Sequence, residues 1–364
     1  MHVRILDKYI FREVCKAFLF GICAFSAVFI GSGTLFKIAT YITDYGASLS
    51  AVIKVFIFGL PNVIMWTFPM SMLLATLLTF GRLSSSSEIT AMKSCGIGFF
   101  RIAMPAILLG FLVSIVAILF NEHVVPWANT AYRNVVYYEI QGKSGAKSQD
   151  HIILKDIKDG QIQRLLYARR YDADSQSLQS ITLQEFDGAG KVSHVENAEY
   201  AEFTGKEWVM HNGMLYDISD GESEHTLRFN TQVLPINASP RQIVREQKDP
   251  EELTMKELKA QIRIMKTQYV DTNKLETELY QRITVPMASL IFALVGVPLG
   301  LQPTRNSSSA GFAMSVIIIF FYYALMTMAN AIGRSGALSP MLAVWIPNVV
   351  GLIAGLFLIR KASR

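Results

Sequence analysis

Residues 55–81 read VFIFGLPNVIMWTFPMSMLLATLLTFG, without a single Asp, Glu, Lys, Arg or His. As an α-helix rising 1.5 Å per residue this stretch is about 40 Å long, more than the ~30 Å of hydrocarbon in a bilayer. Five more charge-free stretches of the same kind lie at 17–36, 102–121, 283–304, 306–333 and 335–359. In a chain of 364 residues that is 51% hydrophobic and only 17% charged, they predict an α-helical membrane protein that crosses six times, three helices and then three.

Between the third and fourth stretches lie residues 122–282, which hold 20 of the 34 Lys and Arg and 25 of the 29 Asp and Glu. This segment is solvated. Lys and Arg in short flanks are retained on the cytoplasmic side. Arg4, Lys8, Arg12 and Lys16 precede the first helix, Arg82, Lys93 and Arg101 follow the second, Arg305 follows the fourth, and Arg360, Lys361 and Arg364 end the chain. The opposite side has only Lys37, Lys54 and Arg334 in its short flanks. Both termini are therefore expected in the cytoplasm and the large domain outside it. The retained positive charge also accounts for a pI near 9.0, and the slightly acidic exported segment speaks against a nucleic-acid partner. The first apolar stretch is too long for a signal-peptide core and reads as a retained helix. Cys15, Cys23 and Cys95 all precede the exported segment, which has no cysteine and hence no disulfide.

Residues 3–16 form a basic amphipathic stretch expected to lie at headgroup level before the chain turns in. Pro61 and Pro69 predict a bent second helix. Between the second and third helices, Ser85 and Glu88 have capping-box spacing and Gly96 suits a helix end, so a short helix is expected at about 86–95. Strand-like runs follow at 152–155, 162–171, 178–186, 192–203, 207–218 and 226–234. The pairs Asp159-Gly160, Asp187-Gly188, Thr204-Gly205, Asn212-Gly213 and Asp220-Gly221 read as turns between them. An antiparallel sandwich or open jelly roll is the natural fold. Asp249 as cap and Pro250 at the first helical position then open a helix to about Lys266, and another from about Asn273 runs into the fourth membrane helix. The chain thus divides into membrane helices 1–3 (1–121), a β-jelly-roll domain (122–248), a helical connector (249–282) and membrane helices 4–6 (283–364).

Catalytic constellations are absent from the sequence. The histidines, His2, His123, His151, His194, His211 and His225, form no HExxH pair and no metal cluster with cysteine. His123 follows Glu122 at the mouth of the third helix, where a solvated interfacial pair is the simplest reading. Gly142-Lys143-Ser144 lacks the earlier glycine of a phosphate-binding loop, Tyr137 standing in its place. No Asp, Glu, Lys, Arg or His lies inside an apolar stretch, which disfavours an ion-coupled carrier. What remains is an apolar-walled path suited to a lipid-like cargo, with energy supplied from elsewhere, no cofactor, and no enzymatic activity of the chain's own. The rival readings are a non-transporting relay that couples an ATPase to an exported partner, disfavoured by six uncharged helices, and a lipid-modifying enzyme.

The chain resembles the LptF/LptG (YjgP/YjgQ) permease subunits of the lipopolysaccharide export ABC transporter over nearly its whole length. The resemblance rests on Leu6-Asp7-Lys8-Tyr9-Ile10, on Phe68-Pro69-Met70 through Gly81-Arg82-Leu83-Ser84 to Ser87-Glu88-Ile89-Thr90-Ala91-Met92, on Asn121-Glu122-His123-Val124-Val125-Pro126-Trp127, on Gly296-Val297-Pro298-Leu299-Gly300, on Tyr322-Tyr323, and on Trp345-Ile346-Pro347-Asn348. It implies six transmembrane helices with an inserted periplasmic jelly roll, in the bacterial inner membrane. It implies as partners a second permease subunit of the same family, a cytoplasmic ATPase dimer and a periplasmic jelly-roll bridge protein, with lipopolysaccharide as cargo. Glu88 matches the acidic residue of the family's coupling helix, which sits in a groove of the ATPase. Lys37 and Arg133 match basic residues at the outer ends of the first and third helices that contact the anionic cargo. The family's further basic residues after the first helix are not matched, Thr43 and Asp44 standing there.

Overall fold

The computed structural model describes residues 5–141, 148–158, 161–173, 175–187, 191–218, 225–235, 240, 248–267, 270–301 and 308–362. Arg4, Arg305, Arg364, His2, the run at 142–144 and the turn glycines Gly160, Gly188 and Gly221 lie outside them. The chain forms two compact units: Met1–Ile140 with Pro250–Arg364, and Gln141–Asp249 between.

The first unit is helical. Its elements are α1 (Ile5–Phe29), a π-helical turn (Ile30–Thr34), α2 (Leu35–Tyr45), α3 (Leu49–Ser85), α4 (Glu88–Ser94), α5 (Phe99–Asn134), a second π-helical segment (Val135–Ile140), a 3-10 turn (Pro250–Glu252), α6 (Met255–Thr267), α7 (Asn273–Gly300), α8 (Ser308–Arg334) and α9 (Pro340–Ala362). Six spans are long and apolar enough to cross a membrane: Ile5–Tyr45, Leu49–Ser85, Phe99–Ile140, Asn273–Gly300, Gly311–Arg334 and Pro340–Ala362. The first three contain the charge-free stretches at 17–36, 55–81 and 102–121 and outrun them, while the last three overlap those at 283–304, 306–333 and 335–359 without containing them. The third continues past residue 121, so the inserted unit begins only at Gln141. α3 runs unbroken through Pro61 and Pro69. Near Pro69 the carbonyls of Ile64 and Trp66 accept hydroxyl donors from Thr67 (2.8 Å) and Tyr323 (3.3 Å), the second tying α3 to α8.

α7 is the most buried of the spans, and its close approaches depend on small residues. A Cβ on Gly296 would come within 2.0 Å of the Thr76 hydroxyl oxygen on α3, and one on Gly110 of α5 within 2.7 Å of the Ala293 Cβ. Small side chains at such crossings let helix backbones meet where no hydrophobic effect drives them together. Asn348 of α9 adds polar ties, accepting from the Tyr322 hydroxyl (2.6 Å) and donating to the Thr284 carbonyl (2.8 Å).

The connector opens differently from the expectation. Pro250, Glu251 and Glu252 make a single 3-10 turn. The helix proper is capped by Thr254, whose hydroxyl accepts from Glu257 N (3.3 Å) while the Glu257 carboxylate accepts from Thr254 N (2.8 Å). That reciprocal pair satisfies two end donors at once.

The second unit holds an antiparallel sheet of β1 (Gln149–Lys158), β2 (Gln161–Asp172), β3 (Ser177–Phe186), β4 (Val192–Phe203), β5 (Trp208–Asp217) and β6 (His225–Leu234), in the order β1-β2-β3-β4-β5-β6. The inserted β domain is thus present, and among the described strands it is one open meander, with no second sheet and no Greek-key exchange. The sheet curls. Arg164 on β2 donates to the Pro235 carbonyl just beyond β6 (3.4 Å), although four strand spacings, roughly 19 Å, separate the two strands in a flat sheet.

A crease runs across the strands. His151, Ser180 and Asn212, on β1, β3 and β5, have φ of 57°, 49° and 52°, and the register sets them in one line with Arg169 and Glu199. Along this line the inward residues are spaced by three instead of two: Ala168 and Tyr171, Leu178 and Ile181, Ala198 and Ala201 all join one core with Ile152, Leu183 and Trp208. Asn212-Gly213 is therefore no hairpin turn. Its tendency to left-handed backbone is used inside β5 to make the crease. Thr204-Gly205 does turn, with Gly205 at φ 91° and Thr204 N bonded to the Glu207 carbonyl.

Candidate functional site

α3 ends at Ser85, and the chain reverses through Ser86 and Ser87, the latter at φ 60°, into the short helix α4. The expected capping box does not form. The Ser85 hydroxyl donates to the Arg82 carbonyl (2.9 Å), still inside α3, and Ser87 occupies the cap position without a side-chain bond. Glu88 is instead held sideways: its Oε1 accepts from the Ser86 hydroxyl (2.9 Å) and its Oε2 from the Tyr9 hydroxyl on α1 (2.9 Å). At the other end Gly96, at φ 80°, stops the helix, with Ile97 N on the Met92 carbonyl.

The docking of α4 follows from its sequence. Ile89 is 5% exposed and packs in one core with Ile10, Val14, Leu83 and Phe99, while Thr90, Ala91, Lys93 and Ser94 face outward. Residues 5–16, expected to lie flat at headgroup level, are the first turns of an uninterrupted α1 and serve as the floor for α4. Ile10 and Val14 form one stripe of that floor, and three polar links flank it, from Tyr9 and Glu13 on one side and Asp7 on the other. Asp7 pairs with Arg101 at the start of α5 (2.6 Å), Tyr9 bonds Glu88, and Glu13 pairs with Arg82 near the end of α3 (2.5 Å) and with Lys16 (2.9 Å). Burying an Ile contributes roughly 1.5–3 kcal/mol, whereas exposed ion pairs contribute about 0–1 kcal/mol each. Apolar packing therefore holds α4 in place, and the polar links set its direction. None of Asp7, Tyr9 and Glu13 stands out in the sequence as a site residue. The one signal available is the i, i+4 spacing of Tyr9 and Glu13, which puts those two on one helix face.

The two other expected site residues are not brought together. Lys37 sits on α2 three residues beyond the π-helical turn, exposed, with no ion pair among the described residues. Arg133, in the last turn of α5, pairs through Nε with the Glu252 carboxylate at 2.9 Å, and Glu252 is 4% exposed. It belongs to a clamp on the connector. Asn129 donates to the Glu251 carbonyl (3.1 Å), Glu122 accepts from Met255 N (2.9 Å), and Arg282 donates to the carbonyls of Pro250 (2.6 Å) and Leu253. Glu122, read from sequence as a solvated partner of His123, thus caps α6. Beside this clamp lies a cavity of about 430 Å³, lined by Asn62, Trp66, Glu278, Arg282 and Asn330 among others, which includes neither Lys37 nor Arg133. No group of three or more His, Cys, Asp or Glu side chains is placed to hold a metal among the described residues.

Two triplets of membrane helices, an inserted β unit and a short docked helix between the second and third spans define a multi-pass permease architecture. The chain belongs to the LptF/LptG family: residues 8–361 match the family described as lipopolysaccharide export system permease LptF/LptG. It is 22% identical over 374 residues to the lipopolysaccharide export system permease protein LptF of Escherichia coli K12, covering 97% of this chain and 94% of that protein. To LptG of the same organism it is 20% identical over 366 residues, covering 99% of each chain. The LptG protein of Haemophilus influenzae is 20% identical over 358 residues, covering 96% of this chain and 97% of that protein.

Proposed function

We propose that this chain is one permease subunit of an ABC transporter in the bacterial inner membrane that extracts lipopolysaccharide and passes it toward the outer membrane. Both termini and α4 lie in the cytoplasm and the β unit in the periplasm, as the excess of Lys and Arg at the termini and beside α4 supports. A cytoplasmic ATPase dimer supplies the energy, a second LptF/LptG-type permease completes the cargo cavity, and a periplasmic jelly-roll protein receives the cargo from the β unit. The chain itself catalyses no reaction.

The observation that carries this reading is α4, a two-turn helix anchored by Ile89 with its outer face and Glu88 presented at the surface. A rigid, outward-facing helix on the energy-supplying side is what a groove in an ATPase needs to push on. Lys37, exposed and without an ion pair among the described residues, is the better candidate for contact with the anionic cargo; Arg133 takes part only by exchanging Glu252 for a phosphate. Glu88→Lys tests the proposal. In reconstituted complexes the variant is expected to assemble and hydrolyse ATP while extracting little lipopolysaccharide. An unimpaired extraction rate would remove Glu88 from the coupling mechanism.

A further inference from the structure

The coupling helix does not rest on the ends of its own two membrane helices alone. Its carboxylate is bonded to Tyr9, its Ile89 is buried against Ile10 and Val14, and the helices that flank it are tied at Arg82 and Arg101 to Glu13 and Asp7. All these partners lie on one α-helix, α1, which continues without a break from Ile5 to Phe29 across the apolar stretch. Its first irregularity is the π-helical turn Ile30–Thr34, where a Cβ on Gly31 or Gly33 would meet nothing within 4 Å. α1 is thus a rod gripped at its start by the coupling helix and its flanks, resting at mid-length on α3, where a Cβ on Gly21 would come within 3.0 Å of Ser71, and ending at an open joint beyond which Lys37 follows on α2. A displacement of α4 moves this rod directly.

We propose that Tyr9 is a positioning residue for coupling: its hydroxyl fixes the Glu88 carboxylate and joins α4 to α1, so that ATPase-driven movement of α4 tilts the first membrane helix about the turn at 30–34. This rests on the role proposed for Glu88. Neither oxygen of that carboxylate swings freely, since Ser86 orients one and Tyr9 the other. Losing the phenol leaves the packing of Ile10, Val14 and Ile89 intact, so α4 stays docked while its link to α1 loosens.

The test uses the complete transporter in proteoliposomes and reads lipopolysaccharide extracted per ATP hydrolysed, a ratio that a loss of protein does not alter. Tyr9→Phe keeps the ring and removes only the hydroxyl. It is expected to lower the ratio roughly fivefold, the scale of one hydrogen bond, with ATP hydrolysis and membrane abundance retained. Glu88→Gln is expected to lower it as well, and the double variant Tyr9→Phe/Glu88→Gln to be no worse than Glu88→Gln alone, because both act through one bond. A normal ratio in Tyr9→Phe, or losses that multiply in the double variant, overturns the role of Tyr9 while Glu88 keeps its own. An unchanged ratio in Glu88→Gln overturns the coupling role of Glu88 and this inference with it.

Discussion

The first and fourth membrane spans have nearly the same mean hydropathy and opposite surroundings: 72% of the apolar window in the fourth is buried within the chain, and 17% of that in the first. The difference lies in placement, not polarity: α7 runs among α3, α5 and α9, whereas α1 leaves one face uncovered. α7 places Gly296, Gly300, Ala288 and Ala293 where α3 and α5 approach, and its packing leaves no room to move. α1 and α2 instead expose Leu19, Phe20, Val28, Phe29, Leu35 and Phe36, a bulky apolar face left uncovered among the described residues. The two surroundings can be told apart by substitution.

The largest effect is expected at the crossing of α7 and α3. Gly296→Leu places atoms where Thr76 already sits and is expected to cost about 3 kcal/mol or more, read as loss of the protease-resistant protein in membranes. Gly31→Leu, with open space around the new Cβ, is expected to leave that resistance unchanged. An equal loss at both positions would erase the contrast. Next comes Arg133→Ala, which removes the ion pair of the buried Glu252 and is expected to destabilise the connector by roughly 3 kcal/mol, measured by thermal unfolding in detergent. Lys37→Ala, on the open first span, is expected to stay within about 0.5 kcal/mol of the parent in the same measurement.

A smaller effect is expected inside the β unit. Glu196 is 6% exposed, and its Oε1 accepts from the Gln232 amide (3.0 Å) while Oε2 has no partner. Burial pushes its carboxyl above the ordinary carboxylate range, and the Gln232 bond pulls back only in part. With the folded value above the unfolded one, its contribution to stability is full below the unfolded pKa and is lost as pH rises through the folded one. Glu196→Gln removes that loss. Its melting temperature is expected to exceed the parent's at neutral pH, by on the order of 1 kcal/mol of stability, and the gap to close toward about pH 4. A gap that widened on acidification would reverse the assignment.

Much of this was legible in the sequence, because charge-free length and turn-bounded β runs are local signals. Six spans and the inserted β unit follow from them, and the short helix near 86–95 from Gly96 as its stop, while the capping box expected at its start does not form. The crease was not legible: Asn212-Gly213 carries the same preference for left-handed backbone whether it turns a hairpin or bends a sheet, and only the pairing of β4 with β5 decides. The same limit applies to Glu88. Its spacing from Ser85 fits a capping box, but Ser85 belongs to the preceding helix, and the actual partner, Tyr9, is 79 positions away. Arg133 looks from sequence like a cation free for cargo, because the carboxylate that holds it, Glu252, lies beyond the whole β unit.

The central claim is that this chain works as the permease of an ATP-driven lipopolysaccharide exporter. Its most direct test is native mass spectrometry of the chain purified in mild detergent from its own membranes. The account predicts one assembly containing two ATPase copies, a second LptF/LptG-type permease and a bound glycolipid of lipopolysaccharide mass. A lone chain carrying only phospholipid would contradict it.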